Sequence, residues 1–165
     1  MIWARRLLTA LFVFEAAVAF TAYALIAGLL IADVAARELF STSVWGAQRI
    51  SVYAMIFTGF LGLGLATATG RHLRPTLADG LVPAPLAGAA QRMGNLLMAA
   101  VFAAFAWFAF EFVRESWLFG DMARVIRIPV WYLQLVIPYA FASTALRHVI
   151  YAIWPATRPA EGLEA

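Results

Sequence analysis

The chain has 165 residues, 64% hydrophobic and only 13% charged, with a net charge of +3 and no cysteine. Globular domains average about 45–50% apolar and about 25% charged, so a soluble domain of this size would expose a large apolar patch. The surplus has to face lipid or another protein. That argues against a disordered chain, a soluble enzyme and a nucleic-acid binder, and two histidines are too few for a multi-histidine metal centre.

Charges cut the sequence into four apolar blocks. The first runs from Leu7 to Ala32 and is broken only by Glu15; the others run from Ile50 to Thr69, Met93 to Phe110 and Ile128 to Leu146 without a charge. Each approximates one bilayer crossing, for which about 20 residues suffice. None alternates strictly, and lipid demands internally satisfied backbone, so the blocks predict helices. The expected architecture is an all-α membrane protein with four transmembrane helices, spanning roughly 10–34, 47–69, 92–115 and 128–152, in one domain over 1–165. Arg5, Arg6 and Ala22-Tyr23-Ala24 imitate a cleavable leader. The interruption at Glu15 and the apolar run on to Ala32 favour an uncleaved first helix instead. Gly80, Pro83 and Pro85 mark the 76–90 stretch as a loop, with room for a short interfacial helix.

Arginines set the expected orientation. Arg5, Arg6, Arg71, Arg74, Arg92, Arg147 and Arg158 fall on one side, and Arg37, Arg49, Arg114, Arg124 and Arg127 on the other. The excess places both termini in the cytoplasm.

Small residues recur every four positions at Ala24, Gly28, Ala32 and Ala36, and at Thr58, Gly62, Ala66 and Gly70. Such ridges predict close helix contacts, within the chain before between subunits. Arg6 and Asp33 are separated by 26 residues, or about 39 Å of helix. That exceeds the roughly 30 Å hydrocarbon core, so Glu15 reads as an interfacial carboxylate before it reads as a buried functional one. Asp33 and Arg37 stand four apart in the favourable order, either ending the helix or docking a partner. Pro129 suits a first helical turn, Pro138 should kink the last helix, and Trp131, Tyr132 and Trp154 suit an aromatic belt.

Asp33-Val34-Ala35-Ala36-Arg37, Phe40, Trp45-Gly46-Ala47-Gln48, Gly59, Gly62, Arg71-His72-Leu73-Arg74, Ile128-Pro129-Val130-Trp131 and Pro138 occur together in this order. The set resembles the small membrane subunit of TRAP transporters, the DctQ-type family, over residues 7–154. The resemblance implies a non-enzymatic subunit without cofactor in a bacterial inner (cytoplasmic) membrane. It implies association with a large membrane subunit and with a periplasmic substrate-binding protein, in sodium-driven uptake of carboxylates or other organic acids. The small subunit would scaffold the large one and help dock the binding protein. On that likeness Asp33, Arg37, Trp45, Gln48, Arg127, Pro129 and Trp131 would lie at the periplasmic end, and His72 and Arg74 on the cytoplasmic side. Gln48 departs from the acidic residue common there, and Pro75 and Thr76 interrupt the stretch after the histidine. Two other readings compete. A haem- or quinone-binding respiratory anchor would use His72 and His148, and a small exporter would rely on Glu15.

Overall fold

The computed structural model describes residues 2–70 and 87–159. Its elements are α1 (Ile2–Phe40), α2 (Ala47–Ala68), α3 (Ala87–Phe119), a hairpin of β1 (Met122–Ala123) and β2 (Ile128–Pro129), α4 (Val130–Gln134) and α5 (Val136–Ile153), closed by a 3-10 turn at Pro155–Thr157. Four helical segments are long and apolar enough to cross a membrane, α4 and α5 together forming the fourth. Their lateral order is α1–α2–α5–α3, with α2 and α5 in the middle. The apolar stretch of the α4–α5 segment is 56% buried, against 11% for α1. Ala19, Leu61 and Val136 form the centre where α1, α2 and α5 meet, flanked by Phe57, Leu65 and Ile137.

At 39 residues α1 is about 58 Å long. It outruns the hydrocarbon core by almost a factor of two, so it either tilts or carries its ends into the polar layers. The Arg5 guanidinium donates to the Ala156 carbonyl. Both described chain ends therefore lie at one end of the molecule, as an even number of crossings requires.

Pro138 has no N–H for the carbonyl of Gln134, and the helix breaks at Leu135, between α4 and α5. Leu135 keeps right-handed helical angles, and its N–H bonds the Trp131 carbonyl, so the segment bends without parting. Pro129 is the last residue of β2 and caps α4 rather than occupying its first turn. The first small-residue ridge does not make the predicted contacts, and Gly62 of the second is not a point of close approach. Ala24, Gly28 and Ala32 are exposed, and a methyl added at Gly28 or Gly62 would meet nothing within 4 Å. The close approach falls at Gly64.

Candidate functional site

Two charge clusters anchor α1, one in each half of the helix. The first surrounds Asp33, which is 1% exposed. One carboxylate oxygen, Oδ1, accepts from the Ser43 hydroxyl and the Val44 N–H, each at 2.9 Å. The other, Oδ2, pairs with Arg37 Nη2 at 2.9 Å. Asp33 does not end the helix, which continues to Phe40. Its carboxylate folds the 41–46 loop back on α1, and Arg37 stays half exposed above it.

That loop delivers Gly46 in the left-handed region, φ 78°, at the start of α2. Only glycine fits, because a Cβ would stand 2.6 Å from Val125 Cγ1. Val125 and Ala123 are buried in the hairpin that closes α3 onto α4. The 124–127 loop of the hairpin ends in Arg127 at φ 52°, whose N–H bonds the Ala123 carbonyl. The structure thus gathers most residues of the sequence-derived set at one end. Asp33 is buried and Arg37 half exposed beside it, Pro129 is half buried in β2, and Trp131 is half buried and stacked on Tyr132 at 3.7 Å. Trp45, Gln48 and Arg127 project outward. His72 and Arg74 lie outside the described residues.

The second cluster was not predicted. Glu15 is 1% exposed and Arg147 0%. Glu15 is therefore buried inside the protein and not a water-facing interfacial carboxylate. Its Oε2 accepts from Arg147 Nη2 at 2.6 Å, and its Oε1 from the Ser143 hydroxyl. Gly64 of α2 makes room, because a Cβ there would come within 2.5 Å of Glu15 Oε2. Arg147 leaves the set of flanking charges, which reduces the orientation bias to six arginines against five. One signal was available: Tyr139, Ser143, Arg147 and Tyr151 recur every four residues along one face of α5.

His148 is also buried. Its Nδ1 lies 3.1 Å from Asn95 Oδ1, and its ring stacks on Phe102, joining α5 to α3. It serves the helix interface in this structure.

Fold and site together define a multi-pass, four-helix membrane protein whose buried charges are consumed in holding its own helices. The comparison with known families carries this further: the model for the DctQ component of tripartite ATP-independent periplasmic transporters matches residues 26–158. The chain belongs to that family and is a small membrane component of a TRAP transporter. No curated protein and no solved structure matches it.

Proposed function

We propose that this subunit scaffolds the large membrane subunit of a sodium-driven TRAP importer of carboxylates or other organic acids in a bacterial inner membrane. We further propose that it helps dock the periplasmic binding protein, and that it performs no chemistry. One observation carries the scaffold reading. Each acid buried among the described residues is paired within the chain, Glu15 with Arg147 and Asp33 with Arg37. A solute path needs polar groups that are open to the solute. What the chain offers outward is apolar: Phe20, Tyr23 and Ile31 on α1, and Met93, Leu97, Trp107 and Phe108 on α3, are exposed. This surface suits lipid on one side and the large subunit on the other. The exposed Trp45, Gln48 and Arg127, beside the Asp33–Arg37 clamp, form the face offered to the binding protein, and both chain ends lie in the cytoplasm.

Affinity purification of the tagged chain from its native membrane is the test of assembly, and uptake in a deletion strain is the test of function. The chain should bring down a much larger membrane protein, and its loss should abolish uptake. Uptake that survives deletion would overturn the proposal. Orientation can be read by thiol labelling, since the chain has no native cysteine. A cysteine placed at Trp45 should react from outside the cell, and one at Arg5 should not.

A further inference from the structure

A cavity of about 440 Å³ lies between α1, α2 and the α4 end of the last crossing, within the ~300–1,000 Å³ range of small-ligand sites. Thr21 and Leu25 of α1, Tyr53 and Phe57 of α2, Ile126 of the hairpin loop and Leu133 of α4 are among its walls. Its inner end is closed, because Val18 and Phe57 line it and also pack on the Ala19–Leu61–Val136 centre. It is a blind groove and not a path across the membrane. From Ile50 to Phe57 it follows α2 for about 10 Å. Its other end lies beside the stacked Trp131 and Tyr132, which precede Leu133 on α4, and aromatic residues of this kind collect at the headgroup layer. The groove thus runs from the headgroup layer into the hydrocarbon, in the half of the molecule that holds Asp33.

The polar groups are few and all near one end. The Thr21 hydroxyl is tied to the Ala17 carbonyl of its own helix. The Tyr53 hydroxyl has no hydrogen bond among the described residues. Arg49 stands one turn from Tyr53 on the same face of α2. It is exposed and makes no ion pair among the described residues. Helical side chains lean toward the N-terminal end, so Tyr53 leans toward Arg49 and both toward the headgroup layer. The loop that brings Ile126 to the groove also carries Arg124 and Arg127, both exposed, and no acid lines the groove. The occupant that fits is an amphiphile, with hydrocarbon in the groove and negative charge beside Arg49.

We propose that this groove holds an acyl chain of an anionic phospholipid, with the exposed Arg49 guanidinium on its phosphate and the Tyr53 hydroxyl beside the headgroup. The lipid fills the space between α1 and α4 above the Leu135 bend and ties both to α2. The site is independent of which solute the transporter carries.

Native mass spectrometry of the full chain tests this, after reconstitution in vesicles of equal phosphatidylglycerol and phosphatidylcholine and extraction in mild detergent. Thr21→Phe puts a ring into the groove from an exposed position on α1, and removes only a hydroxyl bonded within that helix. Arg49→Gln removes the charge from a surface position and leaves the groove open. Wild-type chain should retain phosphatidylglycerol about fivefold better than phosphatidylcholine, the share of one arginine near an anionic headgroup. Thr21→Phe should retain at least about tenfold less of both lipids. Arg49→Gln should keep a bound lipid and lose the preference. Equal retention by Thr21→Phe and wild type would overturn the proposal. So would an unchanged preference in Arg49→Gln, which would place the headgroup elsewhere, or wild-type chain free of phospholipid, which would leave the groove to side chains of another subunit.

Discussion

Replacing Glu15 by glutamine keeps the side chain's shape and an acceptor for Ser143, but removes the charge facing Arg147. The two groups are 1% and 0% exposed and 2.6 Å apart. Breaking a buried ion pair by removing one partner costs about 3–5 kcal/mol, whereas removing both costs far less. A neutral interhelical hydrogen bond in a membrane protein is worth only about 0.6 kcal/mol on average. The two mechanisms are therefore well separated in size. If the pair acts as a charge pair, Glu15→Gln should lower the folding equilibrium constant roughly a hundredfold or more. Arg147→Gln should cost less than Glu15→Gln, because a carboxyl group can be neutralised by a proton and a guanidinium cannot.

The assay is a double-mutant cycle on the purified chain in mixed micelles, unfolded by increasing SDS and followed by tryptophan fluorescence. Glu15→Gln with Arg147→Gln should be more stable than the sum of the single variants by about 2 kcal/mol or more. A coupling near 0.6 kcal/mol, the size of an ordinary hydrogen bond, would refute the reasoning and reduce the pair to a polar contact.

Gly64→Ala should cost about 1–3 kcal/mol by forcing Glu15 aside, while Gly62→Ala, whose methyl meets nothing within 4 Å, should stay within about 0.5 kcal/mol in the same SDS titration. Gly46→Ala combines a left-handed backbone with a 2.6 Å approach to Val125, and should lower stability by about 1–3 kcal/mol while Gly28→Ala leaves it unchanged. Asp33→Ala leaves the Ser43 hydroxyl and the Val44 N–H without their acceptor and should cost about 1–3 kcal/mol; Asp33→Asn keeps an acceptor oxygen and should cost less. Limited proteolysis should cut the 41–46 loop faster in Asp33→Ala than in Asp33→Asn, and equal rates would show that this carboxylate does not hold the loop.

The four crossings were legible because lipid imposes one rule on a long stretch: charge is excluded, so charges mark the boundaries. The helix ends obey no such rule. α1 runs past both ends of its apolar block, through Arg5 and Arg6 at one end and Arg37 and Glu38 at the other, since arginine and glutamate favour helix once they reach polar surroundings. The local pair Asp33–Arg37 was readable from its spacing. What it grips was not, because Ser43 and Val44 come back to it only through the loop. Arg147 looked like one more flanking arginine, with its partner 132 residues away. Only the four-residue rhythm of Tyr139, Ser143, Arg147 and Tyr151 marked a polar face inside an apolar helix. Small residues misled for a related reason. Their spacing shows that a close approach is sterically open, and the Ala24–Gly28–Ala32 ridge leaves that opening on the outer surface.

The two charge clusters explain one another through α1. This helix is the longest and has the least buried apolar stretch, packs mainly along α2 and only lightly touches α5. Apolar contact alone fixes it poorly, since in a membrane lipid competes for the same surface on nearly equal terms. A polar attachment does not face that competition. Asp33 holds α1 to the 41–46 loop near one end, and Glu15 holds it to α5 in the other half. Two fixed points determine the position of a rigid rod, and both lie on its inner side. The outer side, with its exposed small-residue ridge and aromatic residues, keeps a defined shape without spending surface on the chain's own fold. A helix held this way presents a preformed outer surface, which is what the proposed scaffold role would require of the most exposed element.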